Sequence, residues 1–222
     1  MTALAMLILA SGSPRRRQLL ASLGLSFRIV VPNVDEDAPS NADLTPEEMA
    51  EALSRAKAFS VAQREGAGLV LAADTLVVDG ETVLGKPRDA AEAASMLRRL
   101  RDREHRVITG VAVADATRFT ASLVGHVTTA VRMRPYSEEE IAAYITRGEP
   151  FDKAGAYAIQ DPHFRPVASY DACYCNVVGL PLRAVIRLLR GAGLDITDDH
   201  LAGLPAECER CPIPSSERMP SG

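Results

Sequence analysis

Apolar residues recur along the chain with two different periods, and the points where the period changes divide it into short strands and helices. LILA (residues 7–10) is an unbroken apolar run of strand length, and it leads into SGSPRRR, where Ser13 is placed to cap a helix with Pro14 at its first position. FRIVV (27–31) reads as a second strand and PNVDEDAPSNAD as a polar loop. Thr45-Pro46-Glu47-Glu48 forms a capping box that opens a helix running to about Arg64, closed by Gly66 and Gly68. LVLAADTLVVDG predicts a buried strand, DGET a hairpin turn, and Asp89 the cap of a helix over AAEAASMLRRL. HRVITGVAVAD and FTASLVGHVTTAVRMR alternate as strands around the turn DATR, and a capped helix starts at Ser137 and ends near Arg147-Gly148. GAYAI and CYCNVV read as further strands, and Pro181 opens a last helix, LRAVIRLLR. From about Gly191 the pattern fades, and CPIPSSERMPSG reads as disordered.

The order is mixed α/β with a β meander among the helices, which a plain doubly wound sheet lacks. No internal repeat is present. The expected organisation is one domain over residues 1–198 and a disordered tail over 199–222.

The first helix start poses a chemical question. Arg15, Arg16 and Arg17 fall in its first turn, where the helix dipole is already positive. A solvated basic turn accounts for Arg17 but not for the clustering of Arg15 and Arg16 beside SGS. An anion resolves the conflict, because free backbone N–H groups at a helix start bind phosphate and arginine adds bidentate hydrogen bonds.

Composition narrows the classes. With 222 residues, 47% hydrophobic and 24% charged, the chain is of globular type. A net charge of -4 and a pI near 5.6 argue against a general nucleic-acid binder. No apolar run reaches the roughly 20 residues of a membrane helix, and in ALAMLILA the arginines follow the apolar run, the wrong order for a signal peptide. A cytoplasmic protein is expected. Of the 25 basic residues only Lys57, Lys86 and Lys153 are lysines, so those positions draw attention as places for a compact ammonium.

Four cysteines form two close pairs, Cys173 with Cys175 and Cys208 with Cys211. Four reduced thiols are able to supply a zinc site. With CYC in an apparent strand and CERC in an apparent tail, core thiols and a loose tail are the preferred reading, and zinc is set aside.

Asp74 lies inside the apolar run LVLAADTLVV, where an unpartnered carboxylate would cost several kcal/mol. It therefore needs a basic partner, a proton or a metal, and is a candidate general base or metal ligand. Glu36, in VDED, is a second candidate carboxylate, although such loops are often merely solvated; two carboxylates plus substrate phosphates are the usual holders of Mg²⁺. Lys86 is fixed between glycine and proline, Lys153 precedes Ala154-Gly155, and Lys57 lies beside a helix face made by Ala50, Leu53, Ala56 and Ala58. A solvated helix lysine is the plainer alternative for Lys57. Together with Arg15 and Arg16, these residues can enclose a triphosphate. The chain has neither GxxxxGK[ST] nor GxGxxG, so separate cations must do what a glycine-rich cradle does elsewhere.

LASGSPRRRQLL, VDE, AADTLVV, GKPRDAAEAASMLRRL, HRVITGVAV, FDKAGAYAIQ and NVVGLPL, in that order from about Leu7 to Leu189, make the chain resemble the Maf family of nucleoside triphosphate pyrophosphatases. The resemblance implies an elongated, two-lobed Maf/ITPase-like α/β fold around a central mixed β-sheet, with the site in the cleft, and a homodimer. It implies hydrolysis of a nucleoside triphosphate to the monophosphate and pyrophosphate with Mg²⁺ or Mn²⁺. The family's catalytic base matches Asp74, and its phosphate-binding and metal-linked positions match Ser11, Arg15, Arg16, Glu36, Lys57, Lys86 and Lys153. At the substrate-selecting positions the chain is similar to the dTTP- and UTP-preferring branch through Arg15, Thr75 and Gln160. Two alternatives are a pyrophosphatase of broad or modified-nucleotide range and a nucleotide-sensing, non-catalytic regulator of cell division. Only the enzymes need Asp74 for more than binding.

Overall fold

The computed structural model describes residues 6–34, 44–118 and 122–212. Among them a seven-stranded sheet has the order β2-β1-β3-β5-β6-β7, with β4 beside β3. Strands β1 (Leu7–Ala10), β2 (Phe27–Ile29) and β3 (Leu69–Asp79) run parallel, joined through helices α1 (Pro14–Ser22) and α2 (Pro46–Glu65). The remaining strands, β4 (Thr82–Leu84), β5 (Glu104–Asp115), β6 (Ser122–Met133) and β7 (Val167–Tyr170), pair antiparallel, giving the mixed α/β sheet that the order of elements implied. Helices α3 (Ala90–Leu100) and α4 (Glu138–Thr146) follow β4 and β6, and α5 (Tyr174–Val178), α6 (Leu182–Gly191) and α7 (Asp198–Ala202) close the described chain. No described helix is long and apolar enough to cross a membrane.

The alternation of β3 explains where a cleft arises. Leu69, Leu71 and Ala73 enter a core cluster with α1 and α6, whereas Val77, on the same side of the strand, enters a different cluster with α3 and α4. Thr75 falls between the two. On the opposite side Val70 and Ala72 pack against Ala58, Val61 and Ala62 of α2, and Leu76 and Val78 against Ala50 and Leu53. Asp74 falls between those. One strand thus carries two polar residues at the gap between apolar clusters.

Helix α2 is drawn unusually close to the sheet at Gly110, which pairs with Asp74 in the β3–β5 register. A Cβ at Gly110 would lie 2.1 Å from the Ala50 carbonyl oxygen, so no other residue permits that approach. Two turns further along α2, Lys57 consequently reaches Asp74. Gly110→Ala is expected to destabilise the fold by about 1–3 kcal/mol, the range of overpacked cores, measured as a lower urea midpoint with unchanged m-value. An unchanged midpoint would contradict the close approach.

Several expected elements differ. GAYAI is not a strand: it forms a 3₁₀ turn, Ala154–Ala156, followed by coil, because Gly155 and Ala156 take positive φ angles. CYCNVV is helix α5, not a strand; Cys175 is buried while Val177 and Val178 are half-buried, a pattern that a run of this length does not distinguish from a strand. The strand expected over 27–31 stops at Ile29. Ala56 is exposed and lies outside the buried face of α2. The boundary at 199 also fails for residues 199–212: α7 and a 3₁₀ turn, Ala206–Arg210, pack on the domain, with Cys208 and Cys211 buried in its largest cluster. Two cysteines carry little periodic signal, so the segment read as tail. The rest of that tail, and Glu36 with most of its loop, lie outside the described residues.

Candidate active site

Beyond the end of β1 the chain turns through Ser11, Gly12 and Ser13 into α1. Ser13 caps the helix by accepting from the Arg16 N–H, and the Ser11 hydroxyl accepts from the Ser13 N–H at 3.1 Å. The turn borders a cleft of about 870 Å³. All the described candidates, Ser11, Arg15, Arg16, Lys57, Asp74, Thr75, Lys86, Lys153 and Gln160, line it. They come from α1, α2, β3, the loop after β4 and the 3₁₀ segment after α4, so the fold gathers what the sequence scatters over some 150 positions.

Lys57 and Asp74 are both buried charges, 4% and 8% exposed, and their Nζ and Oδ1 lie 2.5 Å apart. This settles what the buried aspartate required: a basic partner, with the pair opening onto the cleft. A buried pair of this kind adds little stability over apolar packing. Its value is in aiming a carboxylate at the cleft.

Arg16 is fixed from two sides. Its Nε donates to the Gly179 carbonyl at 2.8 Å and its Nη2 to the Thr75 hydroxyl at 3.0 Å. Thr75 and Thr109 share a hydrogen bond of 3.0 Å, and Thr109 reaches the Asn176 carbonyl at 3.1 Å. The Thr75 hydroxyl is thus part of the scaffold that holds Arg16. Arg17 is exposed, as a solvated residue would be.

Arg15 and Lys153 converge on one residue that sequence reasoning missed. Asp152 accepts from Arg15 Nη1 at 2.9 Å through one carboxylate oxygen and from Lys153 Nζ at 2.7 Å through the other. Partial burial pushes its carboxyl pKa up, but Lys153 and Arg15 outweigh that and hold it below the ordinary value. Its signal was present in FDK, beside Lys153. Lys153 also donates to the Glu149 carbonyl. Lys86, exposed at the rim, is placed by the Gly155 N–H donating to the Gly85 carbonyl at 3.0 Å.

Gln160 stands at the cleft's rim, held by the segment behind it. Asp161 accepts from the N–H groups of His163 and Phe164 at 3.0 and 2.6 Å and from Arg147 at 2.9 Å. Phe164 stacks on Tyr144 at 4.5 Å, so DPHFRP is anchored in the second core cluster. On the cleft's floor Tyr157 hydrogen-bonds His105 Nε2 at 2.8 Å.

Burial lowers the His105 pKa to about 4, outweighing the opposing charge of Asp79. Between the ordinary value of about 6.5 and about 4, the unfolded chain takes up a proton that the native protein refuses, so stability falls as pH falls through that window. Going from pH 7 to pH 5 should remove about 2 kcal/mol through this residue. Urea midpoints of wild type and His105→Asn at both pH values check it: the variant should lose that part of the slope, and equal slopes would exclude His105 as its source.

A family model described as Maf-like protein matches residues 6–192. A protein of Thermomicrobium roseum named dTTP/UTP pyrophosphatase is 52% identical over 211 residues, 95% of each chain. Proteins with the same name from Pelotomaculum thermopropionicum and Symbiobacterium thermophilum are 47% and 50% identical, each over 86% of this chain and 98% and 95% of theirs. Among solved structures, a HAM1 protein from Coxiella burnetii matches 72% of this chain and 89% of its own at 17% identity, with a TM-score of 0.43.

Proposed function

The chain belongs to the Maf family, and on that premise we propose that it is a nucleoside triphosphate pyrophosphatase acting on dTTP and UTP. Water is added across the α–β phosphoanhydride, giving the nucleoside monophosphate and pyrophosphate. The observation that carries the reading is the buried Lys57 and Asp74 pair facing a cleft ringed by Arg15, Arg16, Lys86 and Lys153. A carboxylate in a cationic pocket suits abstraction of a proton from water, not retention of a polyanion. The relatives' names support the same reaction and the same nucleotides.

Asp74 takes the proton of the attacking water, and Lys57 fixes the carboxylate's direction. Ser11 and the surrounding cations bind the phosphates and balance the charge that develops on the leaving pyrophosphate. Gln160 faces the base. Asp74 together with substrate phosphates suits a magnesium- or manganese-type cation, which binds through one or two carboxylates and phosphates. Asp74 would be one carboxylate, and Glu36, outside the described residues, is proposed from the sequence as the other. When bound, the cation supplies charge neutralisation at the phosphates. The protein is read as a cytoplasmic homodimer acting on free nucleotides, with neither nucleic acid nor membrane as partner.

Pyrophosphate release from the eight common nucleoside triphosphates, with Mg²⁺ and again with Mn²⁺, tests the proposal. Release from dTTP and UTP is expected. Nucleotide binding with no pyrophosphate released from any of them would favour the regulator.

A further inference from the structure

The two cysteine pairs, 33 residues apart at their nearest hydrogen-bonded members, meet in one place. Cys173 caps α5 and Cys175 lies in its first turn; Cys208 and Cys211 come from the 3₁₀ turn near the end of the described chain. All four are buried in the same cluster. Cys175 Sγ lies 3.0 Å from Cys208 Sγ, Cys173 is within electrostatic reach of Cys208 and Cys211, and Cys175 is within reach of the other three. Arg183 of α6 donates through Nε and Nη2 to the Cys208 carbonyl at 3.0 and 2.8 Å, which sets a fixed positive charge beside the sulfurs.

We propose that Cys173, Cys175, Cys208 and Cys211 form a tetrathiolate site for a structural zinc ion that fastens the C-terminal segment to helix α5. Two short-spaced pairs brought from distant segments supply the four thiols that structural zinc takes; Cys208 and Cys211 have the C-x₂-C spacing of such sites, and Cys173 and Cys175 are one residue closer. Four buried thiols gain little by sharing a spot for packing alone. Four thiolates around a dication carry a net double negative charge, and Arg183 is placed to offset it.

Among the described residues, no group of three or more histidine, cysteine, aspartate or glutamate side chains is already set to hold a metal ion. Neutral thiols hydrogen-bond and draw together, whereas thiolates at about 2.3 Å from zinc stand about 3.7 Å from one another. The 3.0 Å pair must therefore open by under an ångström as its protons leave, and metal uptake releases protons. The site lies behind the cleft: α5 also presents the Asn176 carbonyl to Thr109, and the Gly179 carbonyl just beyond it receives Arg16.

Elemental analysis of protein purified without chelators should find about one zinc per chain, released by a thiol-binding mercurial and absent from the Cys208→Ser/Cys211→Ser double variant. Cobalt(II) added to metal-stripped protein should give the visible absorption of a tetrahedral cobalt thiolate, and stripping should lower the melting temperature. Absence of stoichiometric metal would overturn the proposal in either of two forms. Four thiols titrating in urea would make these inert core cysteines, and fewer than four until a reductant is added would make them disulfides. Should the double variant fail to fold, the metal content and cobalt spectrum of the wild type decide. None of these readouts depends on nucleotide hydrolysis, so this site and the proposed activity stand or fall separately.

Discussion

Asp74→Asn is expected to lower turnover by about 10²–10⁴, the range for loss of a general base, while leaving the protein folded. Asparagine keeps the shape and still offers Lys57 an oxygen to donate to, so the buried lysine retains a polar neighbour at this position. What it loses is basicity. The fall should therefore appear in kcat, with KM for the nucleotide changed much less, because the cleft's arginines and other lysines remain in place. Pyrophosphate release gives the rate, and a urea midpoint shows whether the fold has survived. Full activity in a folded variant would remove Asp74 from the chemistry and return Lys57 and Asp74 to a purely architectural role.

The second large effect concerns the base. kcat/KM for dTTP and UTP is expected to exceed that for dATP, by up to ~10⁴ if the discrimination rests on polar groups left unpaired by the wrong base. An amide can donate to a carbonyl while accepting from a ring N–H, which suits the uracil or thymine edge and does not suit adenine. Of the three residues proposed to select the base, Arg15 is engaged by Asp152 and the Thr75 hydroxyl by Arg16 and Thr109. Gln160, exposed at the rim and set by the anchored turn behind it, is the one to test. Gln160→Ala should narrow the gap chiefly by lowering the pyrimidine values. Equal rates across the nucleotide panel in the wild type would reject pyrimidine selection and leave pyrophosphatase activity standing.

Much of this was legible because local chemistry and global position agreed. The capping box at Thr45 and the cap at Ser13 are made as the sequence predicted, and each starts a helix that carries a cleft residue. Asp74 was conspicuous since a carboxylate in an apolar run must be answered, and only the fold could show that Lys57 answers it. The three scarce lysines all line the cleft. Where reading failed, short runs were the reason. Five or six apolar residues such as CYCNVV do not fix a period, and GAYAI owes its turn to positive φ angles at Gly155 and Ala156. Asp152 escaped because its partner Arg15 is 137 residues away. The cysteines escaped because their convergence depends on the path of the whole C-terminal half.

The ion pairs of Asp152 have a consequence for turnover. Arg15 and Lys153 are already matched by an internal carboxylate before any nucleotide arrives. If Arg15 and Lys153 hold the phosphates as proposed, an incoming triphosphate must exchange with that carboxylate, so part of the attraction is cancelled in advance. The same exchange runs backwards after hydrolysis, when Asp152 competes with pyrophosphate for the two cations. A pocket whose cations had no internal partner would seize substrate more tightly and then keep its own product. On the proposed reaction Asp152 would thus limit product inhibition, as a tethered counter-ion that no dilution removes.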